Sequence, residues 1–412
     1  MATLTQLVIT GLGVVSPFGA GVEVLWEALL AGETAIRTLS LFDTGVHRTS
    51  IAAQVPGVRA GLIRRSSKGG HLDRVTRTDQ FALTAAREAM GTAKLLPGSS
   101  EMARAGLFFG SSTGGMLEAE SIVMAAGLGH GKYSHVGGQA ECAPANALAR
   151  EVGIGGPAET IASACSASTM AFEAAFMSLT SGEVSLALVG GSDGLCELTY
   201  AGFNSLRAVD SCPARPFRQD REGLSIGEGS GVLVIESLEH ALDRGVEPLA
   251  VLAGTGTSCD AHHMTAPHPE GRGAWRAMTQ ALGAQVGASS TVDFVNTHGT
   301  GTPHNDLSEG RALKRLLGDR LAQVPVTATK GSVGHLLGAC GALEAVVTVL
   351  CLQHRRLPPV PGAGPLDPEV EIDLCLGQPR ELTSCRSALS VNLAFGGANA
   401  AIHLGRYEGK SE

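Results

Sequence analysis

Two short apolar runs, Leu7–Ile9 and Leu249–Leu252, each lead into a G-x-G sequence, Gly11-Leu12-Gly13 in the first case and Gly254-Thr255-Gly256 in the second. An apolar run of this length closed by glycines reads as a short buried strand ending in a turn. Its recurrence points to an internal duplication with a boundary near Gly245. The charged stretch Glu236–Glu247 then reads as a helix and linker between two halves, residues 1–247 and 248–412. Two more strand-like runs, Val184–Val189 and Val292–Val295, precede loops, and a helical pattern covers Leu307–Leu317. Strands alternating with helices indicate an α/β fold. The proline-bearing segment His354–Pro368 reads as a surface loop.

The chain's 412 residues, 44% of them hydrophobic, suffice for a large buried core. Fifty-five glycines beside only 4% aromatic residues imply closely approaching backbones and a core of Ala, Val and Leu. A net charge of −8 argues against a nucleic-acid partner. The nine cysteines are irregularly spaced, with no C-x-x-C pair. They fit reduced thiols in a cytoplasm, not a disulfide framework or a zinc site. The start, MATLTQLVIT, has no Lys or Arg before its apolar run, so no signal peptide is read, and no run reads as a clean membrane span.

The segment TIASACSASTMAF places Cys165 at a turn between a small-residue strand and the first turn of an apolar helix. Free N–H groups and the partial positive charge of a helix N-terminus favour thiolate, and the same N–H groups can hold an oxyanion. Cys165 therefore reads as an acyl-accepting nucleophile, with a buried structural cysteine as the alternative. Two later segments favour the first reading. In NTHGTGTPHND, His298 follows a strand and sits in a Gly-rich loop. In KGSVGHLLGACGALEA, Lys330 ends a strand and His335 opens a long apolar helix. One Cys and two His, each at a strand end or helix start, suit thioester chemistry.

Together, Cys165 in ACSAS, His298 in THGTGT, Lys330 and His335 in K-x4-HLLGA, Phe395 in NLAFGGAN and the segment ARPFRQDREGLSIGEGSG resemble the β-ketoacyl-[acyl-carrier-protein] synthases of the Cys-His-His decarboxylating branch. The resemblance runs from VITGLGVVSPFG to the final AAIHL. It implies a thiolase fold, two duplicated halves in a five-layer α-β-α-β-α stack. The first half then carries Cys165, and the second carries His298, Lys330, His335 and Phe395.

The same resemblance implies decarboxylative condensation of a malonyl thioester with an acyl group on Cys165. The N–H groups of Cys165 and Phe395 would form an oxyanion hole, with the Phe395 ring as a gate. His298 and His335 would stabilise the enolate, Lys330 would supply positive potential, and Glu344 could pair with Lys330. Thr265, Thr300 and Thr302 are expected along the phosphopantetheine arm of an acyl carrier protein, the only cofactor-like group expected. Thr113 and Phe203 are expected in the acyl pocket, where Thr113 replaces a bulky aliphatic residue and hints at a polar or unsaturated chain. The segment Asp193–Phe203 also resembles ketosynthases of secondary-metabolite clusters. Asp306 supports the His298 loop. Arg74, Arg77 and Arg207 are expected to dock the acidic carrier. A homodimer, or a heterodimer with a related subunit, is expected.

Ser168 and Asn305 each stand where the family usually has Gly. The first should alter packing under the acyl tunnel, and the second should keep a turn through its tolerance of left-handed backbone. The grouping Asp260, His262, His263 and His268 does not have the spacing of a zinc motif. Competing readings are a thiolase, which needs a second cysteine in the final Gly-rich loop, a chain-length-factor-like subunit, which lacks the nucleophile, and a Cys-His hydrolase, which has no use for the second His with Lys330.

Overall fold

The computed structural model of the chain describes residues 5–58, 63–66, 72–127, 140–283 and 292–409. The first long strand, β1 (Leu7–Ser16), continues through its G-x-G without turning. Its counterpart β6 (Ala250–Cys259) does the same. The expected turns are therefore absent, and the glycines serve a different need. Helix α1 (Arg77–Thr92) lies directly on β1, and a Cβ at Gly11 or Gly13 would sit 2.1 Å from the Ala89 carbonyl oxygen or 1.9 Å from that of Ala85. Helix α3 (Arg272–Ala281) lies on β6 in the same way, where a Cβ at Gly254 or Gly256 would sit 2.2 Å from the carbonyl oxygen of Ala281 or Ala277. Each G-x-G thus lets a helix backbone touch a strand backbone. The ladder from each strand to its inner neighbour also slips at this point, after Ile9 and after Leu252.

Apart from the two-residue strand Gly19–Ala20, which pairs only with β1, the other strands of the main sheet are β2 (Gly106–Gly110), β3 (Ala158–Ile161), β4 (Leu186–Asp193), β5 (Gly229–Ser237), β7 (Phe294–Asn296), β8 (Pro325–Thr327), β9 (Asp373–Leu374), β10 (Ser387–Leu393) and β11 (Ala398–Gly405). From β1 outward the order is β1-β5-β4-β2-β3, and from β6 outward it is β6-β11-β10-β7-β8-β9. In both series the first three strands pair antiparallel and the outer ones parallel. The two series are the same topology written twice. They join by antiparallel pairing of Leu7–Ile9 with Ala250–Leu252.

Helices α2 (Ala167–Thr180) and α5 (Cys340–His354) occupy equivalent places in the two halves and pack against each other. Both lie between the sheet halves, α2 touching β2, β4, β6 and β11, and α5 touching β4, β5 and β10. With α1 outside one sheet half and α3 and α4 (Pro303–Leu317) outside the other, the layers run α-β-α-β-α. This is the thiolase-like arrangement. α5 is buried from Cys340 through Leu352, as expected of a helix apolar all round. By length and composition Leu337–His354 could cross a bilayer, contrary to the sequence expectation, but it forms this buried central layer.

Other expectations need correction. Within Glu236–Glu247 the helix is short, Leu238–Asp243, and Glu236 is a buried end of β5 bound by Thr10, His240 and Arg244. The segment His354–Pro368 is not all surface. Leu357 and Val360 are buried, and the Pro358 carbonyl accepts the Thr327 hydroxyl. All nine cysteines are free thiols.

Candidate active site

The chemistry-bearing loops leave the carboxyl ends of the parallel strands β3, β7 and β8, where open α/β sheets place their ligand crevices. After β3, Ala164 takes a left-handed φ of 49°, a short turn follows over Ala164–Ser166, and α2 begins at Ala167. The turn buries Cys165 at the head of the helix. Burial pushes its thiol up to about 11, opposed by the charge of Lys330 and by the N–H groups of Phe395 and of Cys165 itself. Sequence reasoning expected the helix terminus to offset burial, but desolvation is the larger effect. The resting group is a thiol.

His298 follows β7. Its N–H and that of Gly299 both donate to the buried carboxyl group of Glu309 on α4, at 2.7 and 2.9 Å. Burial pushes the Glu309 carboxyl up to about 8. Asp306, also on α4, accepts from Phe217 N at 2.7 Å and Gly301 N at 3.2 Å and lies 3.3 Å from Arg221. It thereby fastens the Ala214–Gly231 segment under the His298 loop. Asn305 is helical, not left-handed, and its amide donates to Asp306 at 3.2 Å. The turn tolerance expected of it is not used.

Lys330 and Glu344 form a buried ion pair at 2.5 Å. Glu344 also accepts from the Thr329 hydroxyl at 3.0 Å and from the Asn392 amide at 2.7 Å. Thr169 donates its hydroxyl to Asn392 Oδ1 at 2.5 Å. With its oxygen so engaged, Asn392 turns its NH2 toward Glu344 and toward His298 Nδ1, 3.3 Å away. His298 Nδ1 is therefore an acceptor, and the ring proton sits on Nε2. His335 reaches the same state by another route. The Leu337 N–H donates to its Nδ1 at 2.9 Å, and the Cys340 sulfur lies 3.5 Å from the same atom. The two rings meet edge to face with centroids 5.3 Å apart. Burial, then the charge of Lys330, depresses His335 to about 3 and holds His298 well below its ordinary value. Both are neutral donors across the physiological range.

Cys165, His298, His335 and Phe395 line one cavity of about 470 Å³. Thr265, Thr300, Thr302, Phe203 and Arg207 line it too, and of these Arg207 is exposed. Thr300 and Thr302 share a hydroxyl contact of 2.9 Å. The Phe395 ring lies 5.7 Å from that of Phe203. Its loop turns on Gly396 and Gly397, at φ of 82° and 79°, and is tied to the neighbouring loop by a bond from Gly396 N to Met264 O.

Several sequence expectations fail here. Thr113 does not line this cavity, because its hydroxyl and N–H both donate to Asp193. The polar pocket wall inferred from it is withdrawn. Arg77 cannot dock a carrier. It is wholly buried, bound to Glu228 and to the Val55 and Val58 carbonyls. The Arg74 side chain lies outside the described residues. Ser168 is accommodated by two glycines, since a Cβ at Gly110 or Gly191 would lie 2.2 or 2.7 Å from it. Its hydroxyl accepts the Ala342 N–H at 3.0 Å, an N-terminal cap for α5 supplied by α2. Asp260 is engaged by Asn399 and the His268 N–H, and the described residues hold no cluster of metal-ligating side chains.

Sequence reasoning missed Glu309, Asn392 and Thr169. Asn392 stands at the head of the NLAFGGAN motif, so a signal for it was present. Glu309 and Thr169 carried none, being ordinary helix residues until the fold aims them inward.

Residues 5–241 match the family described as "Beta-ketoacyl synthase, N-terminal domain", and residues 249–363 match "Beta-ketoacyl synthase, C-terminal domain". The 3-oxoacyl-[acyl-carrier-protein] synthase 2 of Synechocystis sp. is 34% identical, over 98% of each chain. A putative polyketide beta-ketoacyl synthase 1 of Streptomyces halstedii is 35% identical, over 97% of each. Among solved structures, the ishigamide ketosynthase/chain length factor superposes with a TM-score of 0.87 at 32% identity, covering 98% of this chain and 100% of that one.

Proposed function

Because the chain belongs to the β-ketoacyl synthase family and is a 3-oxoacyl-[acyl-carrier-protein] synthase of fatty-acid or polyketide condensation, we propose that Cys165 carries the acyl group and that His298 and His335 hold the enolate oxygen. The supporting observation is that both histidines are neutral and forced into the Nε2–H tautomer beside Cys165 in one cavity.

In the first half-reaction Cys165 Sγ attacks the carrier thioester. The carbonyl oxygen becomes an oxyanion between the N–H groups of Cys165 and Phe395. The pantetheine sulfur leaves and takes up the thiol proton, so the exchange is proton-neutral. Neither His can take that proton while its Nδ1 accepts a bond and its Nε2 is protonated. In the second half-reaction the malonyl thioester oxygen lies between the two Nε2–H groups. The bond to the carboxylate breaks, CO2 leaves, and the electron pair forms an enolate held by those donors. Its carbon attacks the acyl carbonyl. The Cys165 thiolate leaves and gains one proton from water. Lys330, neutralised by Glu344, acts through its field, keeping both rings neutral and easing ionisation of Cys165.

Thr300, Thr302 and Thr265 along the cavity support binding of the pantetheine arm, and the exposed Arg207 supports docking of an acidic carrier. The boundary at 247/248 is our reading of where the two halves meet. A second, related subunit is a candidate dimer partner, by likeness to the ketosynthase/chain length factor structure.

Intact-protein mass after exposure to acyl-carrier-protein thioesters of graded length tests the nucleophile. An acyl mass on Cys165 supports the assignment, and its absence with every donor sinks it. Two further results are expected. The rate of Cys165 alkylation by iodoacetamide climbs about tenfold per pH unit from 7 to 10 without a plateau, because the thiolate fraction follows a group near 11. A plateau below pH 9 contradicts this. His335→Ala lowers malonyl decarboxylation by about 100-fold or more while slowing Cys165 acylation less than tenfold, since a donor to developing charge is lost and the nucleophile is kept. Equal losses in both half-reactions rule out this division of roles.

A further inference from the structure

Asp193, the last residue of β4, carries a wholly buried carboxylate that makes no ion pair among the described residues. Five N–H and O–H groups donate to it instead. Oδ1 accepts from Ser111 Oγ at 2.8 Å, Ser112 N at 2.9 Å, Thr113 N at 2.8 Å and Thr113 Oγ1 at 2.9 Å. Oδ2 accepts from Gly338 N at 2.6 Å and shares the Ser112 N–H at 3.0 Å. Four of these donors belong to the first half of the fold and the fifth to the second.

The fifth donor sits in the turn Leu337–Ala339, which starts α5 as the turn Ala164–Ser166 starts α2. The two turns share an uncommon strain. Ala164, just before Cys165, has φ 49°, and Leu337, just before Gly338, has φ 53°. Left-handed backbone at such residues persists only where the surroundings impose it. Asp193 stands behind both. Ser112, whose N–H is held by Asp193, donates its hydroxyl to the Ala164 carbonyl at 3.0 Å. Gly338 is held by Asp193 directly, and no side chain fits there. A Cβ would lie 2.7 Å from Ser112 Oγ and 2.8 Å from Asp193 Oδ2. The residue before Gly338 supplies the N–H that sets the His335 tautomer.

We propose that Asp193 is a positioning residue that fixes the Cys165 turn and the His335 turn against each other across the two halves, through Ser112 on one side and Gly338 on the other. This rests on the reading that Cys165 takes the acyl group and His335 holds the enolate oxygen. A carboxylate suits the task because it only accepts. An amide in its place would set an NH2 against one of the donors.

The first arm can be cut by itself. Ser112→Ala removes the hydroxyl at Ala164 and leaves the Gly338 bond. Gly338→Ala strains both arms at once, because its Cβ would meet Ser112 Oγ as well as Asp193 Oδ2. Each half-reaction is read alone, acylation by intact mass and decarboxylation by CO2 release from malonyl carrier protein. Ser112→Ala is expected to slow acylation about tenfold and decarboxylation less than about twofold, and Gly338→Ala to slow both by about tenfold or more. Asp193→Asn is expected to slow both by about 100-fold, with KM for the carrier thioester unchanged. Equal losses in both half-reactions for Ser112→Ala, or wild-type rates in Asp193→Asn, overturn the proposal. If Asp193→Asn does not fold, Ser112→Ala decides. A wild-type protein that gains no acyl mass on Cys165 overturns the site assignment and this proposal with it. A wild type that acylates without the split overturns the positioning alone.

Discussion

Cys165→Ala is expected to take up no acyl group from any carrier thioester, and condensation falls by at least about 10⁴-fold. The loss is this large because the acyl group must wait on the protein while malonyl thioester takes its place. Cys165 is the single thiol among the described residues lining the cavity. Cys340, the other thiol near His335, is buried and pushed well above its ordinary value by desolvation. It offers no substitute nucleophile. The two histidine Nε2–H donors remain in this variant, since neither His298 nor His335 depends on the Cys165 side chain for its Nδ1 bond. Decarboxylation of malonyl carrier protein should therefore continue at a measurable rate. The check is paired, intact mass for the acyl group and CO2 release for the enolate step. Retained condensation would refute the nucleophile, and loss of both steps would mean that the cavity had collapsed.

Arg77→Ala is expected to cost roughly 3–5 kcal/mol of folding stability, because it strands a carboxylate. Arg77 and Glu228 are both wholly buried and meet through two guanidinium nitrogens. Glu228 also accepts the N–H groups of Val55 and Leu195 at 2.9 and 3.0 Å, and Arg77 reaches the Val55 and Val58 carbonyls. Removing the cation leaves the buried charge and two carbonyls without that partner. The double variant Arg77→Met with Glu228→Gln should recover much of the loss, since no unpaired charge is then left. Chemical denaturation of the single and double variants reads the coupling directly. Carrier affinity separates this residue from Arg207. Arg207→Ala should weaken carrier binding in a salt-dependent way with unchanged stability, because that residue lines the cavity and is exposed. Additive effects in the Arg77/Glu228 cycle would count against the buried pair.

Arg77 shows where reading a sequence stops. An arginine near the start of a helix is the same letter whether it faces water or a buried glutamate 151 residues away. Thr113 is a parallel case. Its small polar side chain suggested a polar acyl pocket, yet its hydroxyl belongs to Asp193. Both errors have one cause, in that local sequence states what a group can bond to and not which group the fold brings to it. The G-x-G pair is the opposite kind of error. The repeat was legible and its duplication correct. Its purpose, helix-on-strand contact at Gly11, Gly13, Gly254 and Gly256, needed the helices in place.

By itself the sequence determined the α/β class, the duplication and the family, and it singled out Cys165, His298 and His335, which the fold brings to one cavity. These are written in short ordered segments whose residue types are required by local backbone and chemistry. Tertiary structure alone decided the protonation of those residues. The Nε2–H tautomers depend on Asn392 and on the turn at Leu337, and the high Cys165 thiol and low histidines depend on burial beside Lys330. Desolvation and hydrogen-bond direction are properties of neighbours in space. Here those neighbours come from strands and helices far apart in the chain, and they meet only when the two halves close over α2 and α5.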